Sequence, residues 1–266
     1  MCEIFCFSAK APKQINSLLE GFYSHSDEHP HGWGLADLSS EEYLIKKEPV
    51  RASDSSLLKD ILSRPVSGKT VFAHIRLATV GELSYENCHP FVKKDNNNRS
   101  WILMHNGTLF NFPQGDKYGN IQKGNTDSER ILFYIIDKIN ELEADGPASL
   151  KERFDLINKL LSKLANGNKL NIMIYDGELV YVHSNIKEGI YYLIKDSELI
   201  IASSPVNDDE NWKEIEINTV FGIADGNVAF EGENHGCEFI FTEEHENAII
   251  EMLPPEIKKQ LQINSH

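Results

Sequence analysis

Cys2 stands where a cysteine can do most chemically. Removal of Met1 is expected before so small a residue, and it leaves a thiol and a free α-amine on one residue. Their ordinary pKa values are about 8.5 and about 7.7–8.0, so a proton can pass between them near neutral pH. The amine can then act as the base that activates the thiol, directly or through one water. A small residue tolerated at an unprocessed terminus would look the same, so Cys2 alone decides nothing.

Three further segments carry groups that such a nucleophile needs. Attack on an amide makes a tetrahedral oxyanion, which fixed donors must meet. In His105-Asn106-Gly107, just after an expected strand, the Asn side-chain amide and the Gly N–H can supply two. Glycine lets backbone come close, although Asn-Gly is also an ordinary turn. The segment Ala73-His74-Ile75-Arg76-Leu77-Ala78-Thr79 reads as an apolar strand ending in Arg76. A planar guanidinium suits a substrate carboxylate through two parallel hydrogen bonds, and a structural acid would serve it equally well. In Asn125-Thr126-Asp127-Ser128-Glu129, Asp127 can receive a substrate ammonium or only favour a helix start.

Strands and hairpins must position these groups. Ile4–Phe7, Thr70–Ile75 and Trp101–Met104 read as strands. Lys169–Tyr175 and Leu179–His183 flank Asp176-Gly177, a tight-turn dipeptide. Tyr191–Ile194 and Leu199–Ala202 flank Asp196-Ser197, and Asp225-Gly226 precedes Val228–Phe230. Hairpins imply antiparallel pairing. Helices are expected from Thr126, with Ile131, Ile135, Ile139 and Leu142 at helical spacing, and over Ser149–Leu164. Pro12–Glu20, Ser56–Leu62 and Glu244–Met252 are shorter candidates. Blocks of antiparallel strands with separate long helices give an α+β class. The polar runs 95–99 and 205–210 are too short to separate domains, so one domain over 2–266 is expected.

Taken in order, Cys2 with Phe5, Gly32-Trp33-Gly34, Ala-His-x-Arg-x-Ala-Thr, His-Asn-Gly and Thr-Asp-Ser-Glu resemble the class II glutamine amidotransferases. These are N-terminal-nucleophile (Ntn) hydrolases. The motifs cover roughly residues 2–140. The resemblance implies a four-layer αββα sandwich, two antiparallel sheets between helical layers. It implies Cys2 as nucleophile with its α-amine as base, and Asn106 and Gly107 as the oxyanion hole. Arg76 would clamp the glutamine α-carboxylate, Asp127 would hold its α-ammonium, and Thr79 and His105 would line or support the pocket. Gly32-Trp33-Gly34 is similar to a loop near the nucleophile, and Asn87-Cys88-His89-Pro90-Phe91 also matches the family. One departure is Val80, where several synthase-linked members have His. Another is the lack of any phosphosugar, phosphoribosyl or ATP-binding segment, so the chain is similar to stand-alone, single-domain bacterial members.

The implied substrate is glutamine or a γ-glutamyl small molecule, cleaved through a thioester, with no cofactor and no metal. A γ-glutamyl peptide hydrolase is the same chemistry with another leaving amine. A non-catalytic or partner-dependent glutamine-binding subunit is the reading from a different class. An ammonia-accepting synthase, if one is used, would be a separate chain.

Bulk properties narrow the rest. A net charge of −15 over 266 residues disfavours nucleic acid and anionic membrane as partners. Apolar content of 41% and charged content of 25% are those of a globular protein. There is no basic leader and no long apolar run. Four cysteines in this length do not make a disulfide framework, which points to a reducing cytoplasm. Cys6, His25, His29 and His31 are near one another in sequence, but they lack paired zinc-ligand spacing. Cys88 and Cys237 are the candidates for a papain-like site, and the adjacent Cys88-His89 rarely lets two side chains meet.

Overall fold

The computed structural model describes residues 2–40 and 42–262. Met1, whose removal is expected, and residues 263–266, the end of the expected domain, lie outside the described residues. The first half of the chain runs β1 (Glu3–Gln14), α1 (Asn16–Ser24), β2 (Trp33–Asp37), β3 (Leu44–Glu48), α2 (Ser56–Leu62), β4 (Ser67–Ile75), β5 (Phe91–Lys94), β6 (Ser100–Thr108) and α3 (Asp127–Leu142). It continues through α4 (Leu150–Ala165), β7 (Lys169–Tyr175), β8 (Val180–Ser184), β9 (Tyr191–Lys195), β10 (Glu198–Ala202) and β11 (Lys213–Glu214). It ends with β12 (Thr219–Ala224), β13 (Asn227–Glu231), α5 (Glu243–Met252) and α6 (Pro255–Gln260).

Two antiparallel sheets result, ordered β11-β9-β10-β1-β4-β2-β3 and β13-β12-β8-β7-β6-β5. Alternation along the strands decides what fills each layer, because successive side chains leave opposite faces. Ile4, Cys6 and Phe72 of the first sheet meet Ile102, Met104, Met173 and Val182 of the second. Their neighbours Phe5, Phe7, Val71 and Ala73 point the other way, onto Leu19 and Phe22 of α1 and Leu58 of α2. Across the molecule Leu103, Ile172 and Ile174 pack on Ile131 and Ile135 of α3 and on Phe154, Ile157 and Leu161 of α4. These three apolar layers make the αββα sandwich. Full burial of each such side chain contributes roughly 1.5–3 kcal/mol. The two long helices start where their caps dictate, at Thr126 and at the Ser149/Glu152 capping box. Among the described residues no helix is long and apolar enough to cross a membrane.

The hairpins at Asp176-Gly177, Asp196-Ser197 and Asp225-Gly226 are present, and so are the helices expected after Thr126 and Ser149. Three expectations need correction. Pro12–Gln14 continue β1, which resumes pairing with Gly68 and Ser67 after an irregularity; the helix begins only at Asn16. Trp33 and Gly34 belong to the strand β2, between β3 and β4, and not to a loop. Gly34 is required there: a Cβ would come within 1.9 Å of the His89 carbonyl oxygen. His105-Asn106-Gly107 lies within β6, because β7 pairs with it as far as Thr108.

Candidate active site

The register between β1 and β4 brings Cys2 to the site. Glu3 pairs with Ile75, so Cys2 comes level with Arg76 just beyond the strand. Its thiol lies 3.4 Å from the Leu77 carbonyl oxygen. Burial pushes the thiol pKa up, and the charge of Arg76 opposes that shift. A thiol so placed needs a base.

The second sheet presents Asn106. It shares the parity of Ile102 and Met104, so it faces the gap between the sheets. Its Nδ2 donates to Ser203 Oγ at 3.2 Å. Ser203 in turn fixes the start of β1: its Oγ accepts the Ile4 N–H at 3.1 Å, and its own N–H donates to the Ile4 carbonyl. One hydroxyl thus ties the donor of one sheet to the strand that carries Cys2. A cavity of about 280 Å³ opens here, lined by Cys2, Asn106, Lys169, Asn171, Ser203 and the 186–189 loop among others. Asn106 Oδ1 is buried without a partner among the described residues. The Nδ2 has a second hydrogen to offer.

Arg76 is buried directly after β4. Its guanidinium donates to the carbonyls of Glu82 (2.9 Å), Gly81 (3.0 Å) and Val80 (3.1 Å). It therefore holds down the loop that contains half-buried Thr79. Burial lowers its pKa, while Cys2, Cys88 and Asp127 pull the other way. Asp127 opens α3, half-buried, and accepts the N–H groups of Leu109 and Ser128, each at 2.8 Å. Neither Arg76, Thr79 nor Asp127 lines the 280 Å³ cavity.

His105 has the opposite parity from Asn106 and stays out of that cavity. Its Nδ1 sits 3.0 Å from Ser128 Oγ and its Nε2 3.2 Å from the Lys169 carbonyl. It braces β6 against the start of α3. Gly107 passes over it so closely that a Cβ would meet the Lys169 carbonyl oxygen at 2.0 Å and His105 Nε2 at 2.4 Å. His31 steadies the other wall: its Nδ1 accepts the Ala78 N–H at 3.0 Å.

The rival constellations are scattered. Cys6 packs between the sheets, while His25 Nδ1 meets Glu3 Oε2 at 2.8 Å. No group of three or more His, Cys, Asp or Glu among the described residues could hold a metal. Cys88 is buried, and burial pushes its thiol up to about 11. A larger cavity of about 730 Å³ lies at the far edge of the sandwich, between β9–β11 and β12–β13. Its lining is mainly apolar and holds no nucleophilic Cys or His, so the smaller cavity is the one with chemistry.

Sequence reasoning missed Ser203, Lys169 and Asn171. The only signal was a lysine and an asparagine inside the otherwise apolar run Lys169–Tyr175. Nothing local marks Ser203.

The family model described as "Glutamine amidotransferases class-II" matches residues 1–198. An uncharacterised protein of Methanocaldococcus jannaschii is 26% identical over 259 residues, covering 86% of this chain and 71% of that one. The provisionally named glutamine amidotransferase YafJ of Escherichia coli (strain K12) is 27% identical over 242 residues, 81% of this chain and 94% of its own. The glutamine phosphoribosylpyrophosphate amidotransferase of Bacillus subtilis shares the fold at a TM-score of 0.65 and 22% identity, over 88% of this chain and 49% of that longer one.

Proposed function

This chain belongs to the class-II glutamine amidotransferases, and from that footing we propose that it hydrolyses the side-chain amide of glutamine or a related γ-glutamyl compound through Cys2. The observation that carries the proposal is the shared cavity. Cys2 of one sheet and Asn106 of the other line it together, joined through Ser203.

The route is a two-step acyl transfer that uses only water. With Met1 removed, the Cys2 α-amine takes the thiol proton and the sulfur attacks the γ-carbonyl carbon. Negative charge moves to the carbonyl oxygen, where the Asn106 Nδ2 and the Gly107 N–H are the donors. The C–N bond breaks, the departing amine takes the proton, and a γ-glutamyl thioester remains. Water, deprotonated by the same amine, then releases glutamate and the thiol. Arg76 keeps its Nε–H and one Nη1–H beyond the three given to loop carbonyls, and its positive charge complements the α-carboxylate. Asp127, at the start of α3, is the counter-charge for the α-ammonium. Thr79 and His105 act by support, through the loop and through β6. The four cysteines are all free, which suits a reducing cytoplasm.

Glutamate release from glutamine by the isolated Met-free chain tests this, with Cys2→Ala as control. The expected result is turnover that the substitution abolishes. Turnover equal in both forms would refute the role of Cys2. Absence of turnover in both would favour the non-catalytic, partner-dependent reading.

A further inference from the structure

We infer that a second cavity, lined by Asp116, Asp127 and Arg130, binds a free α-amino acid with an apolar side chain, at a site separate from the one at Cys2. This goes beyond the hydrolase reading.

The cavity measures about 350 Å³, at the lower end of the roughly 300–1,000 Å³ usual for small-molecule sites. It lies between the loop that follows β6, the turn Pro113–Tyr118 and the first turn of α3. Leu109, Phe110 and Phe112 give it apolar walls, and the two acids and Arg130 bring charge. Cys2 and Asn106 line the other cavity and not this one.

The walls are held in place. Asp127 Oδ2 accepts the Leu109 N–H at 2.8 Å. Buried Asn168 accepts the Asn111 N–H at 2.7 Å and donates to the Asn111 carbonyl at 2.9 Å. Phe110 stacks on Phe239 with centroids 5.8 Å apart and planes at 3°, and Phe112 meets Tyr134 edge-on at 5.6 Å. Rings already fixed by neighbours lose little freedom when a ligand packs on them.

The charges are not spent on one another. Arg130 gives its Nε–H to Gln122 Oε1 at 2.5 Å, and its Nη hydrogens have no partner among the described residues. The Asp116 carboxylate has none there either. Its sequence neighbours Lys117 and Tyr118 both turn to Asp137, at 2.8 and 2.7 Å. A guanidinium and a carboxylate that face one cavity without closing on each other suit the two ends of a zwitterion. The Nη edge of Arg130 offers two parallel N–H groups to an α-carboxylate. Asp116 receives the α-ammonium, and the negative charge of Asp127 adds to the attraction. The side chain then lies along Phe110 and Phe112, where a charged one would be poorly solvated.

Equilibrium dialysis of labelled L-phenylalanine, with labelled L-leucine as second probe, tests this on the Cys2→Ala chain. The expected result is saturable binding. Phenethylamine and 3-phenylpropionate, which each lack one of the two charges, should displace phenylalanine about ten- to a hundredfold less well than unlabelled phenylalanine does. Arg130→Gln should remove the handicap of phenethylamine, and Asp116→Asn that of 3-phenylpropionate. Failure of both amino acids to bind, or displacement by either analogue as good as by phenylalanine, overturns the site. So does a phenylalanine Kd that rises in proportion to added glutamine, which would put phenylalanine in the substrate pocket. A Kd that reaches a plateau or does not change keeps the two sites apart. If a variant fails to fold, the analogue comparison on the parent chain still decides. None of these readouts needs turnover, so the hydrolase reading can fail while this site stands, and the reverse.

Discussion

Asn106 stands on β6 with its amide nitrogen given to Ser203 and one hydrogen left over. If that hydrogen meets the oxyanion, its value lies in the transition state, where charge develops, and hardly in the bound substrate. Asn106→Ala should therefore lower kcat on the order of 10²–10³ and leave KM nearly unchanged. Steady-state kinetics on glutamine would show this, and an unchanged kcat would remove Asn106 from the oxyanion site. His31 offers a residue-level prediction in pH. Burial first, then the charges of Arg76 and His29, push its pKa down to about 4, and its neutral Nδ1 accepts the Ala78 N–H. A histidine depressed below its ordinary value of about 6.5 stabilises the fold fully above that pH. The contribution is then lost as pH falls from about 6.5 to about 4. The unfolding free energy relative to His31→Gln should accordingly shrink over that window, by at most about 3 kcal/mol. A difference that stays constant from pH 7 to pH 4 would contradict it.

Among the elements, α3 and β6 do the positioning. Thr126 caps α3 by accepting the Glu129 N–H, and the next residue is Asp127. Glu129 meanwhile accepts the N–H groups of Lys123 and Gly124, which anchors the approach to the helix. Thr126→Ala should cost about 1 kcal/mol of stability. If Asp127 anchors the substrate ammonium, the change should also raise KM more than it lowers kcat, because that anchor loosens while Cys2 and Asn106 stay put. Thermal unfolding and kinetics together would check this; a fall in kcat at constant KM would count against Asp127 as an anchor. These elements were readable where the pattern is local. Thr126 precedes a clean helical stripe, and Asp176-Gly177 sits between two apolar runs. They were unreadable where tertiary pairing overrides local preference. Ala-Pro-Lys-Gln at 11–14 looks like a helix entry, yet it is drawn back into pairing with Ser67 and Gly68. Two glycines around Trp33 hid β2, whose close approach to His89 needs one of them.

At the scale of the whole molecule, the sandwich brings residues far apart in sequence onto one cavity. Cys2 and Asn106, which line that cavity, stand out in the sequence because each lies in a short, ordered segment; Arg76 and Asp127 stand out in the same way but do not line it. Ser203, Lys169 and Asn171 do not stand out, since their meaning arises only when the sheets stack: Ser203 reaches Asn106 across 97 positions and Ile4 across 199. The inter-sheet core of Ile4, Cys6, Phe72, Ile102 and Met104 holds the sheets at the spacing that makes these contacts possible. If Cys2, freed of Met1, is the nucleophile of a glutamine-shaped site, an electrophile shaped like glutamine should label it. The measurement that tests it most directly is the intact mass before and after incubation with the glutamine analogue 6-diazo-5-oxo-norleucine. The expected result is a starting mass without Met1 and then a single adduct, absent from Cys2→Ala. A Met-free protein that takes no adduct, or an adduct that survives in Cys2→Ala, would contradict it.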